Sequence, residues 1–380
     1  MPFFDYLCGK QIHFTMRVPY FSFRRILLPG MLGLGVFLPL SGQDLQRYNG
    51  HPDEAFFAGN EARRIGDQLL LWQRDTGGWP KNVDMVSPMS DSLRQEVLAQ
   101  KVRRNDSTTD NGATSQQLVF LAHLYRQTGE GRFRQAFLNG VEYLLSGQYP
   151  NGGWPQFWPE RRGYQWHITY NDDAMVNTMR LLRDMVRGGV PYDGNLVDEG
   201  LRRRLQTAFD KGVECILATQ IVVDGEPTIW CQQHDHETLQ PAPARAYELP
   251  SYCPIESVGI LSLLMEIPDP DERVCRSIRG AMKWLDGHRL KGLRVVPFRD
   301  AEGRKDARVV EDSLASDLWA RFYDLERAEP FFCDRDGIPR PRLSLIGQER
   351  RGGYSWYGSQ PARLFPLYEK WQQRHAISVP

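Results

Sequence analysis

The stretch Gln148-Tyr149-Pro150-Asn151-Gly152-Gly153-Trp154-Pro155 has a counterpart on each side of it in the chain. Gln73 precedes Gly77-Gly78-Trp79-Pro80, and Gln220 precedes Trp230-Cys231-Gln232 after a longer loop. The three glutamines lie 75 and 72 residues apart. A nearly constant spacing of this size indicates a repeated structural unit.

Each glutamine ends a stretch with helical periodicity. Apolar residues recur at steps of three and four over 118–125, 133–145, 175–185 and 201–216, which places them on one face of a helix. Alternating strand patterns are scarce. The unit is therefore a helix pair with a long loop, and such pairs close into a barrel. The sequence predicts an all-α fold, an (α/α) barrel or toroid of helix hairpins whose loops form a substrate groove. Loop tryptophans there either stack on sugar rings or plug the core.

The N-terminal region differs from the rest of the chain. Arg24 and Arg25 precede the apolar run 26–40, and the small residues Ser41 and Gly42 follow it. This order is typical of a secretory signal, whereas the run is short for a membrane span. We expect residues 1–45 to be a signal region that starts at Met16, with an uncleaved anchor as the alternative. Residues 46–380 are then one catalytic domain, secreted or periplasmic, without a membrane partner.

Charge and cysteine content narrow the function classes further. Lysine plus arginine and aspartate plus glutamate number 47 each, so no global field attracts nucleic acid. We expect a monomer. Five cysteines remain beyond the signal region, an odd and widely spaced set that does not form a disulfide framework, although one bridge is possible.

Acidic residues precede two of the predicted helices, in Thr109-Asp110-Asn111-Gly112 and in Asn171-Asp172-Asp173-Ala174. Such residues often cap free amide groups at a helix start. Both segments follow a Gly-Gly-Trp loop, however, so a toroid can bring them to one rim. Two carboxylates on one rim can hold a hard cation such as calcium, which prefers oxygen ligands.

Four arginines lie next to aromatic or small residues. They are Arg245, Arg321, Arg335 and Arg350. A guanidinium in such a setting can bind a carboxylate through two hydrogen bonds, and the alternative for each is a surface salt bridge. The segment Cys231-Gln232-Gln233-His234-Asp235-His236 contains zinc-type ligands, but it lacks a second cluster and favours an ordering role in its loop.

Seven blocks together resemble the pectate lyases of polysaccharide lyase family 10. In chain order they are Gly77-Gly78-Trp79-Pro80-Lys81-Asn82, Thr109-Asp110-Asn111-Gly112-Ala113-Thr114, Gly152-Gly153-Trp154-Pro155-Gln156, Asn171-Asp172-Asp173-Ala174-Met175, Ala244-Arg245-Ala246-Tyr247-Glu248, Trp319-Ala320-Arg321-Phe322-Tyr323 and Asp334-Arg335-Asp336-Gly337. The resemblance runs from about residue 55 to residue 372, and it departs from the family at residues 1–15 and at Cys253-Pro254.

The resemblance implies an (α/α) toroid that cleaves polygalacturonate by calcium-dependent β-elimination and yields 4,5-unsaturated products. The residue that matches the family's base is Arg335. The metal ligands implied are Asp110 and Asp172, and the residues implied to bind substrate are Lys81, Arg245, Arg321 and Arg350, with Arg351 the alternative to the last.

Arginine is an unusual base because it is protonated at ordinary pH. We therefore expect the side chains of Asp334 and Asp336 to point away from Arg335, and an alkaline activity optimum. Two other functions remain open on the residues alone. One is a glycoside hydrolase that uses Asp110 and Asp172 as paired carboxylates on uronic-acid polysaccharide, and the other is a non-catalytic sugar-binding protein.

Overall fold

Helices dominate the structure, a computed structural model that describes residues 45–50 and 52–375. The helices are α1 (Gln46–Asn49), α2 (Glu54–Ala58), α3 (Asn60–Trp72), α4 (Asp91–Ala99), α5 (Ser115–Thr128), α6 (Gly131–Ser146), α7 (Ala174–Arg187), α8 (Glu199–Thr219), α9 (Pro254–Met265), α10 (Glu272–Gly287), α11 (Gln348–Gly353) and α12 (Leu364–Arg374). Among these residues, no helix has the length and apolar character that a membrane crossing needs. The predicted apolar signal and the start at Met16 lie outside the described residues, and the boundary at residue 45 stays a prediction.

The long helices pack in two rows. Helices α5, α7, α9 and α12 form the inner row, and α3, α6, α8 and α10 pack against them from outside. Helix α9 is buried on nearly every face, which suits a central position, whereas α7 and α10 each have one apolar face. This arrangement of helix hairpins confirms the predicted all-α fold of (α/α) toroid type.

Each repeat in the sequence forms the same tryptophan hydrogen bond in the structure. The indole N–H of each repeat tryptophan donates to a carbonyl of the preceding outer helix at 2.7–2.9 Å: Trp79 to Leu69, Trp154 to Leu144, Trp230 to Ile216 and Trp319 to Leu285. The fourth copy, at Trp319, did not show in the sequence spacing. All four rings are buried, so these tryptophans plug the core and do not offer a stacking surface.

The repeat glutamines join neighbouring units. Each side-chain amide donates to a carbonyl of its own loop and to a carbonyl of the next outer helix: Gln73 to Ala136, Gln148 to Ala208 and Gln220 to Ser277. The glycine that opens each Gly-Gly-Trp loop allows this close approach. Gly152 has a φ of +93°, and a Cβ there would lie 1.9 Å from the carbonyl oxygen of Lys211, so only glycine fits.

Short strands lie in the loops between the helices. They are β1 (Ile168–Thr169), β2 (Val222–Val223), β3 (Glu226–Pro227), β4 (Gln233–His234), β5 (Leu293–Arg299), β6 (Lys305–Glu311), β7 (Trp319–Ala320), β8 (Phe332–Cys333), β9 (Pro339–Arg340) and β10 (Tyr357–Gly358). All pair two by two and antiparallel, as β1 with β4, β2 with β3, β5 with β6, β7 with β10 and β8 with β9. The β5–β6 hairpin, whose strands have seven residues each, was not anticipated. A second apolar cluster, which includes Tyr247, Phe322 and Trp356, lies apart from the main core.

Candidate active site

The two acidic segments form equivalent turns at the starts of inner helices. The 3-10 turns Asp110–Gly112 and Asn171–Asp173 precede α5 and α7 and pack against each other. Each turn holds a residue in the left-handed region, Asn111 at φ +52° and Asp172 at φ +53°. Backbone in this region is costly outside glycine and is concentrated at functional sites.

Helix capping does not explain either aspartate. Helix α5 begins after Thr114 and α7 after Asp173, and neither N-cap side chain accepts a hydrogen bond from its helix. Asp110 is 1% exposed. Its Oδ2 accepts hydrogen bonds from the Lys81 ammonium and from the Gln156 amide, the latter at 2.6 Å. Its buried Oδ1 has no partner within the described residues, so one carboxylate oxygen is available to a ligand.

Asp172 lies in the same electrostatic environment. Although its surface is open to solvent, the surrounding protein raises the pKa of its carboxyl, and the negative charge of Asp110 raises it further. The cations Arg321, Lys81 and Arg245 act in the opposite direction. The structure therefore brings both predicted acids and three predicted substrate-binding residues into one cluster. The two turns that carry these acids contact each other, and a cation bound there would offset the repulsion between their negative charges.

Arg321 forms the floor of this cluster. Its guanidinium donates to Glu256 Oε1 at 2.5 Å and to Asn171 Oδ1 at 3.2 Å. Glu256 belongs to α9 and is fully enclosed, and burial raises the pKa of its carboxyl while Arg321 opposes that shift. The remaining Glu256 oxygen and Arg321 Nε have no partner within the described residues.

Three further arginines surround the ring of Tyr247. The guanidinium carbon lies 4.6 Å from the ring centroid for Arg350, 5.2 Å for Arg245 and 5.9 Å for Arg335. Arg245 also pairs with buried Glu248 through Nε at 2.7 Å, and the Tyr354 hydroxyl donates to that carboxylate at 2.7 Å. A ring with guanidinium groups around it is suited to an acidic sugar, because the cations bind carboxylates and the ring excludes water.

Arg335 is the outermost of these arginines. Its side chain is 67% exposed and pairs with Glu349 at 3.1 Å. Hydrogen bonds from Arg350 and Arg335 hold the pKa of Glu349 down at about 2. As expected, neither flanking aspartate bonds to it: Asp334 accepts the Gly347 amide N–H, and Asp336 pairs with Arg340. Glu349 was missed as its partner because 14 residues separate the two in sequence.

When the four repeats are aligned on their tryptophans, one equivalent position carries a site residue in each repeat. The position two residues after each repeat tryptophan faces the acidic cluster or its supporting turns, and it is occupied by Lys81, Gln156, Gln232 and Arg321. Gln156 was missed as a functional residue, yet it holds Asp110. The Gln232 carbonyl accepts the amide N–H groups of Tyr170 and Asn171 at 2.9 and 3.0 Å. Aligning the four tryptophans would have revealed this register.

The zinc hypothesis at Cys231 is not supported. The Cys231 backbone N–H donates to His234 Nε2 at 3.2 Å, and His234 Nδ1 bonds the Leu239 carbonyl, so the segment orders its own loop. No group of three or more histidine, cysteine or acidic side chains within residues 45–50 and 52–375 is placed to hold a metal. All five cysteines in this part of the chain are free and buried.

Comparison with known proteins places this site in a family. The sequence pattern described as "Pectic acid lyase" matches residues 73–365, most of the chain. The chain belongs to the pectic acid lyase family. No curated protein sequence matches it significantly. Family membership makes it a lyase, which decides against the hydrolase and the non-catalytic protein that the residues alone left open.

Two solved structures resemble this lyase along nearly their full length. One is a family 10 polysaccharide lyase from Cellvibrio cellulosa, with 32% sequence identity, a TM-score of 0.71, and coverage of 85% of this chain and 97% of that one. The other is an aspartate-to-alanine mutant of the Cellvibrio cellulosa enzyme in complex with trigalacturonic acid. It shares 33% identity at a TM-score of 0.71, with 83% and 96% of the two chains covered. The predicted family 10 resemblance is confirmed.

Proposed function

We propose that this lyase cleaves polygalacturonate by calcium-dependent β-elimination and releases 4,5-unsaturated oligogalacturonates. The observation that carries the proposal is the juxtaposition of Asp110 and Asp172 with four arginines around Tyr247 and Glu256. Acids and guanidinium groups on one surface suit a polyanionic substrate that arrives with a cation. The trigalacturonic acid in the complex of the relative supports the same substrate class.

Several cationic side chains lie where they can bind the substrate carboxylate. Arg245 and Arg321 face the ring of Tyr354 at 5.6 and 4.8 Å from its centroid, and Lys81 lies beside Asp110. Each of these cations is already paired with an acid of the chain. When a uronate binds, its carboxylate replaces that acid as the partner of the cation. This exchange limits the cost of desolvation and favours carboxylate over neutral sugars.

The residues present fit a calcium ion that is shared with substrate. Asp110 offers an unpartnered buried oxygen, and Asp172 adds a second carboxylate with a raised pKa. Two acids do not complete the six to eight oxygen ligands that calcium takes, so uronate and water oxygens would supply the others. When bound, calcium supplies positive charge that acidifies the sugar C5–H next to the carboxylate.

β-Elimination needs a base that removes the C5 proton while the C4–O bond breaks and its electron pair leaves with the departing sugar. We propose Arg335 for this role, as the family resemblance implies. Arg335 donates a hydrogen bond to Glu349 at 3.1 Å. Substrate has to displace Glu349, and the guanidinium has to release one proton to solvent, before the neutral guanidine can accept the C5 proton. Arg245 is the second candidate, because its guanidinium also lies beside the Tyr247 ring, 5.2 Å from the centroid. Both roles predict a rate that rises with pH.

An assay on polygalacturonate tests the proposal. The purified lyase should raise the ultraviolet absorbance that an unsaturated uronate gives, and a chelator of divalent cations should stop the reaction until calcium is restored. New reducing ends that appear without this absorbance would contradict β-elimination on this substrate. Turnover that persists in the chelator would reject Asp110 and Asp172 as ligands of an essential cation.

A further inference from the structure

We infer that Arg161, Tyr149, Trp166 and His236, together called the outer platform, form a second uronate-binding site that receives a sugar unit distant from the acidic cluster. The inference rests on the proposed function, because it extends the binding of the same acidic polymer. None of these four residues belongs to the blocks that carry the family resemblance.

The outer platform is a rigid guanidinium between aromatic rings. The Arg161 guanidinium carbon lies 3.7 Å from the Trp166 ring centroid and 5.2 Å from that of Tyr149. Its Nη1 donates to the Tyr149 hydroxyl, which in turn donates to the Trp166 carbonyl at 2.8 Å. His236 completes the set, 4.9 Å from Tyr149 and 6.0 Å from Trp166 between ring centroids.

Arg161 differs from the arginines of the central site in its charge balance. Arg245, Arg321, Arg335 and Arg350 each pair with a glutamate. Within the described residues Arg161 pairs with no carboxylate, and its Nε is buried without a partner. Of the acids near it in the chain and across the strand pair, Glu160 pairs with Arg104 at 3.5 Å, and Asp235 accepts the Glu237 and Thr238 amide N–H groups. A guanidinium that is held between aromatic rings without a carboxylate partner is suited to bind an external carboxylate.

The outer platform is joined to the central site by one pair of strands. Strands β1 and β4 pair with Ile168 opposite His234. Trp166 and His236 lie just beyond one end of this pair, and the Asn171–Asp173 turn with Gln232 lies at the other. Trp166 and Asp172 are six positions apart in the sequence, so at most about 20 Å separates them. Both strands are buried, so a polymer that connects the two sites would pass over the solvent-facing turn Gly163–Trp166 beside them.

The surface between the two sites is also suited to a sugar acid chain. Tyr164 lies near the central site, since the charges of Arg245, Glu248 and Asp110 all act on its phenol group. Trp166, two residues later, is 40% exposed. Part of its indole is therefore available to a sugar ring, while the Arg161 guanidinium lies over the ring. A short oligomer held at Asp110 and Asp172 would not reach this tryptophan, whereas a long one would.

Chain-length dependence tests the outer platform. We expect Arg161→Ala to raise KM for polygalacturonate about tenfold with kcat retained, the scale of a lost charged hydrogen bond. For the shortest oligogalacturonate that the wild type cleaves, KM should stay within about twofold. Trp166→Ala, at a partly exposed position that tolerates truncation, should give the same pattern. Arg94→Ala removes an exposed arginine from α4 and serves as the control for lost positive charge.

Each outcome decides the inference. An equal change in KM on long and short substrates, or no change on polygalacturonate with either variant, overturns it. If the wild type cleaves neither polygalacturonate nor any oligogalacturonate, the proposed function fails instead. Calorimetric titration with a long oligogalacturonate then still separates the cases, since the Arg161→Ala variant should bind it about tenfold more weakly than the wild type.

Discussion

Removal of Arg321 should destabilise the whole fold, because it leaves a charge buried in α9. Glu256 is 3% exposed at its side chain and Arg321 is 13% exposed, and their atoms lie 2.5 Å apart. Arg321→Ala therefore breaks a buried ion pair from one side, a change that costs about 3–5 kcal/mol. For a chain of this length that cost lowers Tm by about 4–7 °C. Calorimetric unfolding at neutral pH measures the shift.

The pH dependence of Tm distinguishes an unpaired buried charge from lost packing as the cause of the destabilisation. Burial raises the pKa of Glu256, and the charge of Arg321 counteracts that rise, so the variant's Glu256 should have a higher pKa still. A carboxyl with a raised pKa destabilises the fold above that pKa, and protonation relieves the penalty as pH falls through it. The Tm difference between Arg321→Ala and the wild type should therefore narrow from about pH 8 to about pH 5.

Two variants complete the experiment. Arg321→Ala combined with Glu256→Gln removes the buried charge and should restore most of the lost Tm. Arg204→Ala breaks an exposed pair with Glu142, at 54% and 56% exposure, and should cost no more than about 1 kcal/mol. A Tm for Arg321→Ala within about 2 °C of the wild type, or a deficit that does not change with pH, would refute the buried-charge reasoning.

Three other outcomes follow from the site and the repeat. Arg335→Ala should retain the wild-type Tm, since its ion pair is exposed, but lose about 10²–10⁴-fold in the absorbance assay if it is the base. A full rate in this variant with the same loss in Arg245→Ala would assign the base to Arg245. The pKa of Asp172 is raised, and only its ionised form binds a cation. A pH–rate profile should therefore show activity falling at a higher pH, on acidification, than the pKa of an ordinary aspartate would predict. Gly152→Ala should lower stability by about 3 kcal/mol in denaturant unfolding, because the new Cβ would meet the Lys211 carbonyl.

Much of the site was predictable because local sequence sets it. Asp110 and Asp172 stand in turn segments at the starts of two inner helices, and the repeat spacing places both segments at the same end of the toroid. The arginines next to aromatic residues likewise come to one surface around Tyr247. What sequence could not provide was pairing across long separations: Arg335 with Glu349, Arg321 with Glu256, and Gln156 with Asp110.

The sequence by itself determined the helix pairs, the repeat and the residue types of the site, because periodicity and glycine placement act over short stretches of chain. Tertiary structure decided which charges are neutralised. Arg245 and Arg321 pair with buried glutamates, Arg335 stays on the outer rim, and Arg161 has no acid partner within the described residues. These differences depend on which loops meet, and a loop's neighbours are set by the packing of the helices beneath it and not by its own residues.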